Sequence, residues 1–361
     1  MSRFIEAHAG VAENLVPLLE AYVKGLWRRV SPKGAGPLVG GTPEVTRSAG
    51  PLRVNPERVA AYLELTDGAD ISSGSPPAVP PIFYTSYGLG PFLGVLSSKE
   101  LGIDLLGMVH LENELRVTRP LRMEDDITCR VSLEEVDRTE RRLLVTVLCE
   151  NLVGPSLASE SRSRILVRLG KKGAGANRRP GPGAGAGPGA GAGPGAGAGP
   201  GAGAGSGAGA GSGAGAGSGE GSSPRAGAGP RATGKDPAEE RPDAELFKEI
   251  RRFNLAANLG RRYGLLVGDV NPIHLSPLTS RLFGFSRPIA HGFCLKAMVA
   301  HAIVRAHGGG DPARLELLRI RFRSAVRLPG EALCLTDGDR FLLTSPDRAR
   351  IFADGQFSIG S

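Results

Sequence analysis

Residues 269–274 read Asp-Val-Asn-Pro-Ile-His, and residues 289–292 read Ile-Ala-His-Gly. The first stretch puts an acid, an amide and an imidazole within six positions and locks the backbone with Pro272. Asn271 followed by Pro272 predicts a helix N-cap and first helical position, which places His274 on the first turn. Asp269 lies just before the cap and can fold back beside it. An acid and an imidazole so placed can share one water, the requirement for coordinated general acid–base chemistry. Gly292 precedes a long apolar run and so opens a buried helix. A backbone N–H there faces outward with the positive end of the helix dipole behind it. In comparable oxyanion holes such a donor is worth about 3–4 kcal/mol to a carbonyl gaining negative charge. Each residue also has an ordinary reading: Asp269 a turn residue, Asn271 a cap, His274 a first-turn histidine, Gly292 a close-packing glycine. Their joint order points to chemistry. His291 also admits a structural role, its ring bonding nearby backbone.

Outward from this stretch, residues 242–361 read as one unit. Ala244 to Leu259 has helical spacing. Ser276-Pro277 starts a short helix that ends at Gly284. A buried helix runs from Gly292 through Val304 to Gly308–Gly310. Strands follow at Leu315 to Phe322, Ala332 to Leu335, Phe341 to Thr344 and near Phe357 to Ile359. Arg319, Arg321 and Arg323 alternate on one strand and share a face, either a solvated outer face or a phosphate or carrier-protein contact.

Residues 51–170 read as a second unit of the same plan. A helix-like stretch (Val59, Leu63, Leu65) precedes a Pro-rich turn from Ser75 to Pro81. The apolar segment Phe83 to Leu96 is helical in its second half. Strands are expected at His110 to Val117, Ile127 to Leu133, Leu143 to Leu148 and Ser163 to Leu169. Both units run helical entry, buried helix, long strand, proline turn, meander, a weak internal duplication. The first has Ser73-Gly74-Ser75-Pro76-Pro77 where the second has its acid–amide–imidazole loop. A helix packed on antiparallel strands is an α+β arrangement.

Between the units, residues 171–241 carry 26 of the chain's 54 glycines, in GAGAGP and GAGAGS repeats, and read as a disordered spacer. Residues 1–50 divide into an N-terminal helix (Phe4 to Trp27) and a Pro/Gly/Ser/Thr linker from 31. The helix suits packing or docking, with a membrane-surface or targeting role as the alternative.

The net charge is +8, but the spacer alone carries eight Lys/Arg against four acids. What remains is a mild positive bias that suits an anionic ligand such as a CoA phosphate or an acidic carrier protein, and argues against nucleic acid. Cys129, Cys149, Cys294 and Cys334 are widely spaced, without CxxC, and read as reduced thiols of an intracellular protein, with no metal motif. No run of 18 apolar residues is present, so no transmembrane segment is expected.

Tyr263, Gly268 through His274, Leu282-Phe283-Gly284-Phe285 and Ile289-Ala290-His291-Gly292 together resemble the MaoC-like, R-specific enoyl-CoA hydratase (hydratase 2) family. His110-x-Glu112-Asn113 and Arg119-Pro120-Leu121 extend the likeness into the first unit, as in two-domain (3R)-hydroxyacyl-carrier-protein dehydratases. The resemblance covers everything except the spacer and the N-terminal helix. It implies a double hot-dog fold, each unit an antiparallel sheet wrapped around one long helix. It implies that Asp269 and His274 hold the water, Asn271 orients the site and the Gly292 N–H binds the thioester oxygen. Tyr263, His291, Phe293 and Phe83 are the substrate-binding candidates. The first unit, without the dyad, is expected to house the acyl tail. The implied reaction is reversible hydration of a trans-2-enoyl thioester to its (3R)-3-hydroxyacyl thioester, on CoA or a carrier protein, with no cofactor or metal. A homodimer is compatible with it. The alternatives are a non-catalytic acyl-thioester-binding subunit and a hot-dog thioesterase. Thr279 departs from the family's usual small residue, and the spacer exceeds the family's need.

Overall fold

The computed structural model describes residues 41–71, 78–101, 108–139, 142–168 and 242–360. The expected N-terminal helix, the spacer at 171–241 and residues 75–77 of the Pro-rich turn lie outside them.

The first half comprises β1 (Thr46–Arg53), α1 (Pro56–Leu65), a 3-10 turn (Pro81–Tyr84), α2 (Thr85–Leu96), β2 (Met108–Val117), β3 (Asp126–Arg138), β4 (Arg142–Val153) and β5 (Ser156–Arg168). The second comprises β6 (Lys248–Leu255), α3 (Leu259–Val267), α4 (Pro272–Leu275), α5 (Pro277–Arg281), α6 (Gly292–His307), β7 (Leu315–Phe322), β8 (Gly330–Asp337), β9 (Arg340–Thr344) and β10 (Ile351–Ile359).

Period-two burial builds the strands. On β3, Ile127, Cys129, Val131 and Leu133 are buried while Arg130 and Glu134 face out. On β4, Leu143, Val145, Val147 and Cys149 continue the same inner face. Helix α6 is different: every residue from Cys294 to Val304 is buried. A helix apolar nearly all round must be covered on every side. Strands of its own half cover one side. Tyr62 of α1, with Ile82 and Phe83 of the 3-10 turn, joins it in one core that spans both halves.

The ten described strands form one antiparallel sheet in the order β1-β3-β4-β5-β2-β7-β10-β9-β8-β6. Outward from the central β2–β7 pair, each half repeats the other strand for strand. The hydrogen bonds repeat as well. Val79 N–H donates to the Leu121 carbonyl at 2.9 Å, and Ala290 N–H to that of Val326 at 2.8 Å. Thr118 and Arg119 donate to the Ala158 carbonyl, as Arg323 and Ser324 do to that of Phe352. The weak duplication read in the sequence is therefore an architectural one.

Two expectations are corrected. Ala244 to Leu259 is not a helix: Ala244–Leu246 is a 3-10 turn and Lys248–Leu255 is strand β6. Its pairing with β8 slips between Glu249 and Arg251, and this irregularity turns a two-residue alternation into helix-like spacing at Phe247, Ile250 and Phe253. Within the stretch read as linker to residue 50, Thr46–Arg53 is strand β1, an edge strand paired to β3. Most of its residues are exposed and it holds Pro51, so it lacks an apolar alternation and reads as loop. Strands β4 and β5 also run further into their hairpin than expected. Buried Ser159, Ser161 and Ser163 interrupt the apolar pattern there, and Ser159 accepts from the Asn151 amide at 3.0 Å.

Candidate active site

Helix α3 ends at Gly268, whose left-handed backbone (φ 90°) turns the chain out of the helix and into the loop. Asp269 accepts from the Asn271 N–H at 3.3 Å, and the Asn271 side chain accepts from the Ile273 N–H at 3.3 Å. With Pro272 at the first helical position, these local bonds set the single turn α4, which carries His274. Helix α3 lies hard against this loop. A Cβ on Gly264 would fall 2.4 Å from the Asp269 carbonyl oxygen, and one on Gly260 2.3 Å from that of His274.

His274 is buried, and its Nδ1 lies 2.7 Å from the Ile289 carbonyl. A carbonyl only accepts, so Nδ1 carries the proton and Nε2 keeps its lone pair. By the same argument His291 donates from Nε2 to the Asp269 backbone carbonyl at 3.0 Å. The two imidazoles stack with centroids 3.7 Å apart. Burial, and then the neighbouring His291, hold the His274 pKa well below the ordinary histidine value. Burial lowers that of His291 too, against the pull of Asp269. Both rings are therefore neutral at physiological pH. The Asp269 carboxylate lies 3.8 Å from His291 Nε2 and is about one-third exposed, open to solvent as the rings are not. A carboxylate oxygen of Asp269 and one nitrogen from each imidazole lie within 4.8 Å of one another, a grouping that could also hold a cation.

His291 caps α6, and Gly292 is its first residue, with no intrahelical acceptor for its N–H. The Phe322 ring lies on Gly292, 3.0 Å from where a Cβ would stand. Tyr263 packs its ring 5.1 Å from His291. Phe293 is half-buried beside Gly292, edge-on to His110 at 5.0 Å. Thus Asp269, Asn271, His274, His291, Gly292, Tyr263 and Phe293 come together. Phe83 does not: it is fully buried in the aromatic core between Tyr62 and Tyr87.

Sequence reasoning passed over Lys296. It is fully buried in α6 and donates to Asn113 on β2. The available signal was one lysine within an otherwise apolar run from Phe293 to Ala300. The arginine row is ion-paired: Arg319 with Glu114, and Arg321 and Arg323 with Asp354.

The first half is built differently at the matching places. Counting on from Val79 and Ala290, Pro80-Pro81 stand where His291-Gly292 stand. Proline has no N–H, so no donor exists at Pro81. In the loop after α1, Asp67 and Asp70 are ion-paired with Arg251 and Arg305 of the second half.

Two family models match the chain. Residues 238–335 match the family model of the MaoC like domain, and residues 62–152 that of the FAS1-like dehydratase domain region. The chain is 24% identical to 3-hydroxyacyl-thioester dehydratase X of Mycobacterium tuberculosis over 311 residues, covering 85% of this chain and 86% of that one. It is 37% identical over 97 residues to a probable enoyl-CoA hydratase 2 of Dictyostelium discoideum, covering 27% of this chain and 31% of the relative. The chain thus spans less than a third of the length of that relative, and of the peroxisomal enoyl-CoA hydratase 2 of Arabidopsis thaliana. Among solved structures, HtdX of Mycobacterium tuberculosis superposes with a TM-score of 0.57 at 19% identity, over 87% of this chain and 99% of that one. A double hotdog protein of the same organism gives 0.50 at 12% identity, over 90% and 98%. The fold is the double hot dog. No helix among the described residues is long and apolar enough to cross a membrane.

Proposed function

From a chain that carries a MaoC-like domain behind a FAS1-like dehydratase region, we propose a hydro-lyase that interconverts trans-2-enoyl and (3R)-3-hydroxyacyl thioesters in fatty-acid metabolism. The observation that carries the reading is the grouping of Asp269, His274 and His291 within 4.8 Å, beside the N-terminus of α6.

In the hydration direction, Asp269 and His274 Nε2 hold one water between them. His274 keeps its proton on Nδ1 through Ile289, so Nε2 is the base. As the water oxygen bonds to C3, Nε2 takes one of its protons. The C2–C3 π electrons move toward C1, and the carbonyl electrons move onto the thioester oxygen. The Gly292 N–H and the α6 dipole stabilise that oxygen. The enolate then re-forms the carbonyl as C2 takes the proton back, so one water is added in all. Dehydration is the reverse. Asn271 shapes the loop, and His291 fixes the Asp269 backbone. Pro81 leaves the first half without an oxyanion donor, which suits it to holding the acyl tail. The substrate is an acyl-CoA or acyl-carrier-protein thioester. Four free buried cysteines suit a reducing intracellular compartment.

The test is incubation with trans-2-enoyl-CoAs of increasing chain length, following loss of the conjugated thioester and the chirality of the product. A (3R)-3-hydroxyacyl-CoA is expected. Release of free CoA, or no reaction at any chain length, contradicts the reading.

A further inference from the structure

Lys296 lies one turn beyond Gly292 in α6 and is fully buried. A charged side chain sits there only when something holds it. Its ammonium donates to Asn113 Oδ1. Asn113 is also fully buried, and its Nδ2 donates to Ser161 Oγ at 2.8 Å, Ser163 Oγ at 2.9 Å and the Arg162 carbonyl at 3.2 Å. Those acceptors fix the amide orientation and leave Oδ1 turned to Lys296.

The other half of the molecule is an internal control. Counting from the equivalent hydrogen bonds, Asn113 matches Leu318, Ser161 and Ser163 match Gly355 and Phe357, and Lys296 matches Thr85. No charged side chain stands at those matching positions, where Thr85 Oγ donates instead to the Ile82 carbonyl of its own turn. Apolar replacement of a buried ionic group is often neutral or stabilising, so the fold gives no reason for this ammonium. It stands on the side that has Gly292.

Residues four apart share a helix face and lie about 6 Å apart along the axis. Helical side chains lean toward the N-terminus, so the Lys296 stem runs back toward Gly292. Phe322 packs on Gly292, and His110 lies edge-on to Phe293 and Phe322. In so enclosed a place a fixed cation acts strongly on charge that develops nearby.

We infer that Lys296 is a positioning residue for the oxyanion side of the site. Held by Asn113, it fixes the first turns of α6 against β2 and adds positive charge behind the Gly292 N–H. This rests on the hydration reading above. Burial lowers the Lys296 pKa to about 7, with Glu114 opposing that shift. Glu114 is itself paired with Arg319 and Arg116, and burial, then Lys296, push His110 down to about 4, so it stays neutral. Deprotonation of Lys296 withdraws the charge, so kcat falls as pH rises through this range.

The test is steady-state hydration of a trans-2-enoyl-CoA by wild type, Lys296→Met and the double variant Lys296→Met/Asn113→Leu, each across pH 6–9. Both variants are expected to lose at least tenfold in kcat, with KM within twofold and the alkaline fall abolished. The double variant removes the ammonium together with the amide that holds it, and circular dichroism verifies its fold. If it folds and keeps kcat within twofold of wild type, the role of Lys296 is overturned. Should both variants fail to fold, the wild-type profile decides, and a kcat flat from pH 6 to 9 overturns the role. An inactive wild type overturns the hydration reading itself.

Discussion

Pro81 and Gly292 hold the same position in the two halves, two residues beyond the matching hydrogen bonds of Val79 and Ala290 to their strands. Each follows an extended residue, Pro80 (ψ 127°) or His291 (ψ 138°), the backbone that a following proline requires. Gly292→Pro therefore installs in the second half what the first half already has. Proline at the first helical position suits a helix, and only the N–H is lost. The Phe322 ring must give way slightly. The expected result is a kcat lower by about 10²–10³ with a near-wild-type circular dichroism spectrum. Undiminished turnover in a folded Gly292→Pro protein removes the oxyanion role.

Gly264→Ala tests the seat of the loop. Alanine improves helix propensity by about 1 kcal/mol. Its Cβ, however, would lie 2.4 Å from the Asp269 carbonyl oxygen and 3.4 Å from the His291 ring. Either the helix or the loop must move, at a cost of about 1–3 kcal/mol. A lower urea midpoint and a lower kcat are expected together. A more stable and fully active variant contradicts the close seating of α3.

His301 sets an acid limit on stability. It is buried and bonds the Thr66 carbonyl through Nδ1 at 3.0 Å, and burial lowers its pKa to about 4. An unfolded histidine titrates near 6.5, so below that pH the unfolded chain binds the proton first. The stabilisation is complete above about 6.5 and is lost as pH falls toward 4. At about 1.4 kcal/mol per unit, His301 alone accounts for roughly 2 kcal/mol by pH 5. Thermal midpoints should drop from pH 7.5 to 5, and His301→Gln should reduce the drop. Equal midpoints at both pH values speak against the buried neutral ring.

The turn from Asn271 to His274 was legible because a cap and a proline act through neighbours in the chain. Helix α6 was legible from its unbroken apolar run. Strand β6 was not, because the irregular pairing at Glu249–Arg251 gives helix-like spacing to residues that pair with β8. The length of β5 was hidden by Ser159, Ser161 and Ser163, buried polar residues whose partners lie on other strands. Phe83 carries no local mark of whether it faces a cavity or a core. Lys296 was passed over because its partner, Asn113, lies in the other half of the chain, and only the β2–β7 join brings the two together.

In the proposed mechanism Asp269 and His274 activate one water. Asp269→Asn keeps shape and removes the charge; His274→Ala removes the base. The most direct measurement is the hydration rate of a trans-2-enoyl-CoA by the two variants beside wild type, with circular dichroism as the check on folding. Each is expected to lower kcat by about 10²–10⁴ in a folded protein. Wild-type rates from both folded variants would contradict it.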